Sequence, residues 1–148
     1  MPRFDFRLER FLNVKEQIED QKEMEYATAL RQVEEEKARL KELEESKERT
    51  VQDLRKSVSK KIAPIEIRRY NNSIERLKIM IAQQIERLET AKLIAEDKRL
   101  ELVEAMKERK AIEIVKESAY EEYVTKEDRV TRRTTDELTS YKYATRVV

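Results

Sequence analysis

Ser57-Val58-Ser59-Lys60-Lys61-Ile62-Ala63-Pro64 is the stretch that decides the fold. Pro64 is the single proline inside the chain, the other being Pro2, and there is no glycine anywhere in the 148 residues. Glycine supplies the positive φ of tight turns and proline ends helices, so a chain with so little of either has few ways to turn. The simplest shape is two very long helices joined by one bend. Pro64 suits the first position of a helix, and Glu66 meets the positive end of that helix's dipole. We therefore expect helix 1 over about 3–58, a bend over about 59–63 and helix 2 over about 64–145, in a single helical hairpin spanning 1–148.

Outward from the bend, apolar side chains recur at helical spacing. Phe4, Leu8, Phe11, Ile18, Leu40, Leu43, Val51, Leu54, Val58 and Ile62 follow one track of three- and four-residue steps. Lys15, Lys22, Glu25, Glu36 and Lys47 are polar gaps on it. Ile67, Tyr70, Ile74, Leu77, Ile81, Leu88, Ala95, Leu102, Met106, Tyr120 and Tyr123 continue the pattern after the bend. So narrow a stripe fits the seam of a coiled coil rather than one face of a globular core. The fold class is all-α, a long antiparallel two-helix coiled coil with a C-terminal helical overhang.

Folding about residue ~61 pairs positions whose numbers add to ~122, which sets Phe4 opposite Ser118, Ile18 opposite Glu104 and Leu43 opposite Ile79. Residues after ~119 then have nothing opposite them. At 1.5 Å per residue they form an overhang of ~45 Å on a hairpin of ~80 Å. Thr125, Thr131, Thr134 and Thr135 lower the helix propensity of that overhang.

Composition narrows the function. Charged residues make up 44% of the chain, with 33 basic and 32 acidic side chains interleaved. That balance argues against a general nucleic-acid binder, which carries a basic excess. No apolar run approaches the ~20 residues of a membrane span, so any membrane attachment is expected only through partners. There is no His, Cys or Trp. Disulfides and thiol chemistry are excluded, zinc lacks its usual ligands, and glycine-dependent phosphate loops cannot form. Carboxylate pairs such as Glu34–Glu35 and Glu121–Glu122 sit on solvated helix faces with nothing to separate their pKa values. We expect no enzyme, no cofactor and no metal.

Three surfaces are candidates for binding. The bend is basic, with Arg55, Lys56, Lys60, Lys61, Arg68 and Arg69 against Glu66 alone. It suits acidic protein, nucleic acid or lipid headgroups, or serves only as a solvated cap. Leu77, Met80 and Gln84 suggest an apolar patch on one flank, or a broadened core stripe. Phe4 and Phe6 beside Arg3 and Arg7, with Tyr141 and Tyr143, put aromatic anchors at both chain ends.

Three segments in this order resemble the bacterial flagellar export protein family FliJ. They are FDFRLERFLNVKEQIEDQ near the start, APIEIRRYNNSIERLKIMIAQQIERL after the bend, and ERKAIEIVKESAYEEYVTKEDRVTRRTTDELTSYKYA at the end. The second has proline, then Tyr70, Leu77 and the glutamines Gln83 and Gln84; the third has Asp136 and Glu137. The resemblance implies a stalk-like component of the flagellar type III export apparatus, cytoplasmic and peripherally held at the inner face of the cell membrane. It implies association with the export ATPase FliI, its regulator FliH, the export-gate protein FlhA and export chaperones. On that reading Arg3, Phe4, Phe6, Leu8, Tyr120, Tyr123, Leu138 and Tyr141 would contact the ATPase ring, and Leu43, Leu77, Met80 and Gln84 the export gate. A stalk of virulence-type secretion, or a purely structural scaffold, are the alternatives. A prefoldin-like hairpin chaperone needs β-hairpin sequence that Ser57 to Ala63 is too short to supply.

Overall fold

The computed structural model describes residues 3–146. Two long helices, α1 (Glu9–Ser59) and α2 (Pro64–Arg146), pack against each other as a helical hairpin, with no strand among the described residues.

α1 begins six residues later than the sequence suggests. Arg3 to Phe6 are irregular, Arg7 and Leu8 turn, and the Glu9 amide donates to the Phe6 carbonyl at 3.1 Å. The reason lies in the two phenylalanines. Residues two apart on a helix point to nearly opposite sides, so a helical Phe4 and Phe6 could not both reach α2. Off the helix, Phe6 packs with Leu12 and Ile112, and Phe4 and Ala119 each pack against that cluster.

The connection is held by backbone bonds. The Lys60 and Lys61 amides donate to the Ser57 and Val58 carbonyls at 3.0 and 3.2 Å, and the Ser59 hydroxyl caps the Lys56 carbonyl at 2.7 Å. The Ala63 carbonyl accepts from Glu66 and Ile67, closing the first turn of α2. Lys61 has φ of 58°, the left-handed region where glycine ordinarily ends a helix. A side chain there costs roughly 1–2 kcal/mol, and glycine loses roughly 0.5–1 kcal/mol of that gain to unfolded-state entropy. Lys61→Gly should therefore raise the melting temperature by a few degrees, read by thermal circular dichroism; a fall would show that the lysine is not strained.

The chain divides into two compact units, residues 21–103 and residues 1–20 with 104–148. In the first, Ala29 and Val33 of α1 and Leu88, Ala91 and Ala95 of α2 form the core, with Leu40 against it. Three alanines on the seam favour close approach of the two backbones. From Val51 to Ile74 the seam side chains, Val51, Leu54, Ile67, Tyr70 and Ile74, are only half-buried. In the second unit the core is Phe6, Leu12 and Ile112.

Toward the N-terminus the buried track of α1 runs one residue off the sequence-based one. Leu12 and Glu19 are buried, whereas Phe11 and Ile18 are exposed, as are Leu8 and Val58. On α2, Ala105 and Ile112 are buried and Met106 and Tyr120 lie outside. The physical reason is periodicity. Leu12, Lys15, Glu19, Lys22, Tyr26, Ala29, Val33, Glu36, Leu40 and Leu43 alternate steps of three and four without a break. The track through Phe11 and Ile18 must take two four-residue steps in a row before Leu40, which a regular left-handed supercoil does not accommodate.

Candidate interaction surfaces

The polar seam positions are matched across the hairpin. In the unit of residues 21–103, Lys22 and Lys98 alternate with Glu25 and Glu101 in a closed ring. Lys22 Nζ lies 3.4 Å from Glu25 and 3.3 Å from Glu101, and Lys98 Nζ lies 3.5 and 3.4 Å from the same two carboxylates. Residue numbers of the cross-helix partners add to 123, one from the expected register. Hydrogen bonds from Lys22 and then Lys98 hold Glu101 below the usual carboxylate value. The Gln21 amide, followed by the charges of the two lysines, lowers Glu25, and Glu101 in turn raises Lys22.

These shifts fix a sign. Carboxylates held below 4.5 contribute stability that is complete above that pH and lost as pH falls through their folded values. Lys22, held above 10.5, contributes until pH rises past its folded value. Melting temperature should therefore be level from about pH 6 to 9 and fall below about pH 4.5. Glu101→Gln should lower it at pH 7 and flatten the acid limb; an unchanged acid limb would remove this ring from the account. The effect is small because the groups are solvated and screened.

Gln84, expected on a docking flank, is instead among the most buried side chains, at 3% exposure. Its amide donates to the Glu36 carbonyl at 3.1 Å and to the Glu36 carboxylate. Leu43 is buried as well, while Leu77 and Met80 are half-buried. The heptad seam thus encloses Leu43 and Gln84, two of the four side chains expected on the flank. Ile65, Ile79, Ile85, Leu93, Ile94 and Leu100 are the large apolar side chains exposed on α2 in this unit.

In the other unit the structure brings together several residues expected at the chain ends. The Phe4 ring stands edge-on to Tyr120 at 5.2 Å and tilted against Tyr123 at 5.3 Å between centroids. Such pairs contribute roughly 0.5–1.5 kcal/mol beyond the area they bury. Lys116 ties this end down, bonding Glu9 at 2.8 Å and lying 6.0 Å from the Phe6 ring. Arg3, Phe4, Asp5, Phe6, Glu9 and Lys116 line a cleft of about 640 Å³. Tyr120 and Tyr123 therefore anchor the N-terminal segment as well as belonging to the tail.

Sequence reading missed the layer beneath. Buried Glu19 accepts from Arg109, which also reaches Glu113 at 2.7 Å, and Lys15 bonds Glu108 at 2.9 Å. Glu113 and then Glu19 raise the Arg109 guanidinium above its ordinary value. The signal for this layer was the unbroken heptad step from Leu12 to Glu19 to Tyr26, hidden by the stronger hydrophobicity of Phe11 and Ile18.

Beyond Tyr123, α2 is exposed except for half-buried Glu127. Leu138 and Tyr141, expected at the ATPase ring, are 58% and 69% exposed and do not join the Phe4 cluster. Thr125, Thr134, Thr135, Thr139 and Thr145 each turn the hydroxyl back to the carbonyl four residues earlier, at 2.9–3.1 Å. Such bonds hide the hydroxyls and slightly weaken the helix. At the connection Arg55, Lys56, Lys60, Lys61, Arg68 and Arg69 are all exposed. No group of three or more metal-binding side chains occurs among the described residues, and no described helix is long and apolar enough to cross a membrane.

Residues 4–147 match the family model described as Flagellar FliJ protein. No curated protein sequence matches the chain. A solved structure of a YscO homologue, CT670 from Chlamydia trachomatis, is similar in fold, with a TM-score of 0.58 and 20% identity, covering 95% of this chain and 96% of that one. With the match running through the aromatic N-terminus, the connection and the tail, the chain belongs to the FliJ family and so to the structural components of type III export.

Proposed function

We propose that the chain is a non-enzymatic stalk that couples an export ATPase ring to an export gate and escorts export chaperones. The observation that carries this reading is the exposed tail of α2. Val124, Val130, Leu138, Tyr141 and Tyr143 are apolar side chains left open to solvent, next to the Phe4–Tyr120–Tyr123 cluster in the same unit. A helix with this much open apolar surface is suited to a receptor that encloses it. On this reading the ring is the export ATPase FliI with its regulator FliH, and the gate is FlhA. With Leu43 and Gln84 enclosed, a gate contact on the flank falls to Met80, Leu77 and neighbouring Ile79. The protein would work at the cytoplasmic face of the membrane and catalyse nothing itself.

The likeness to the YscO homologue supports a second reading, a stalk of a virulence-type secretion system. Adding the purified chain to export ATPases of each type separates the two. Stimulation of the flagellar enzyme supports the first reading, stimulation of the virulence enzyme alone the second, and stimulation of neither overturns the stalk assignment.

A further inference from the structure

We propose that the connection between α1 and α2 is a membrane-docking tip that seats on anionic phospholipid headgroups. Residues 55–69 carry six cations and one carboxylate, a net charge of +5 in a chain whose net charge is +1, so the remaining residues carry −4. Arg55, Lys56, Lys60, Lys61, Arg68 and Arg69 are all exposed, and none takes part in an ion pair among the described residues. Farther along the same unit, Lys22, Lys98 and Arg99 are each neutralised by a carboxylate. Arg31, Lys41 and Arg76 of this unit also lack ion pairs among the described residues, but at the tip six such cations face a single carboxylate.

Charge alone would suit any polyanion, and the apolar side chains decide between partners. Val58 and Ile65 flank the connection at 52% and 62% exposure. Aliphatic side chains beside long cationic stems match the headgroup boundary of a bilayer, where the stems lie along apolar surface and the charges reach phosphate. Nucleic acid is served worse. Single strands are held by stacking on aromatic rings, and the aromatic side chain nearest the tip, Tyr70, is half-buried with its hydroxyl 3.4 Å from Ser57. The net negative charge of the remaining residues would also repel a long polyanion. The backbone adds an independent sign: the residue forced to positive φ in the middle of this patch is a lysine, and strained residues concentrate where function requires the side chain. The inference stands apart from the stalk reading, since it needs no ATPase and no gate.

The test is sedimentation of the full chain with vesicles of phosphatidylcholine, with and without one-third phosphatidylglycerol. Binding is expected to the anionic vesicles only and to disappear at high salt. Each cation near such a surface contributes about fivefold. Arg55→Gln, Lys56→Gln, Lys60→Gln and Lys61→Gln together should weaken binding by on the order of 100-fold or more. A matched tail variant, Arg129→Gln, Arg132→Gln, Arg133→Gln and Lys142→Gln, changes net charge equally and should bind nearly as well as the native chain. Val58→Ser with Ile65→Ser should weaken vesicle binding severalfold while leaving binding to duplex DNA unchanged. The proposal is overturned by no binding to anionic vesicles, by equal losses in the tip and tail variants, or by duplex DNA binding more tightly than vesicles. All substituted side chains are exposed, and circular dichroism confirms that each variant keeps its helices.

Discussion

Leu138→Ala combined with Tyr141→Ala is expected to weaken binding to the export ATPase by at least ~30-fold, the effect of losing one interface hot spot of about 2 kcal/mol. ATPase stimulation and secretion should fall with it. Both side chains are exposed on the tail, and alanine is the better helix former, so helix content should not drop. Tyr120 and Tyr123 make a poorer test, because each packs on Phe4 and its loss would also free the N-terminal segment. Lys60→Gln with Lys61→Gln serves as the opposing control and should leave ATPase binding intact. If the tip variant abolished ATPase binding while the tail variant did nothing, the chain would engage the ring by its other end.

The hairpin was legible in the sequence because turning requires residues this chain lacks. With no glycine and one internal proline, the bend had to fall near Pro64, and α2 begins there. The connection itself was not fully legible, because Lys61 takes a conformation that propensity assigns to glycine. The start of α1 was misplaced for a related reason. The apolar spacing of Phe4, Leu8 and Phe11 reads as helix, whereas packing of Phe4 and Phe6 on α2 and the weak helix propensity of Phe4, Asp5 and Phe6 keep this segment off it. Among the site residues, the basic tip and exposed tail could be read directly, since exposed charge needs no partner to locate it. Gln84 could not, because a buried glutamine and an exposed one look alike until Glu36 is set opposite.

The matched polar layers explain why so thin a seam can hold one register. Apolar side chains in a heptad track tolerate sliding by whole heptads, since each knob finds a similar hole. Charged seam residues do not. A slip would move Glu19 away from Arg109 and open the Lys22–Glu25–Lys98–Glu101 ring, leaving half-buried charge without a counterpart. Arg109→Leu alone should therefore lower the melting temperature, because Glu19 stays enclosed without its guanidinium. These pairs fix alignment more than they add stability, which leaves cohesion to the few apolar layers between them.

Leu12→Ala is accordingly expected to cost about 3 kcal/mol, within the range for truncating an enclosed leucine. Leu12 is 3% exposed and packs with Phe6 and Ile112, the core of its unit, with the polar Glu19–Arg109 layer following it. Phe11→Ala, one residue away and larger in volume removed, should cost only ~0.5–1 kcal/mol. Its ring is half-exposed and its recorded partner is the Lys15 ammonium at 5.1 Å. Thermal denaturation of the two variants reads the difference, and hydrogen exchange over residues 9–20 locates it. The comparison tests the phase of the whole N-terminal seam. Hydrophobicity alone ranks phenylalanine above leucine, whereas an unbroken heptad ranks Leu12 above Phe11. A larger loss for Phe11→Ala than for Leu12→Ala would return the seam to the Phe11–Ile18 track and displace Glu19 and Arg109 from it.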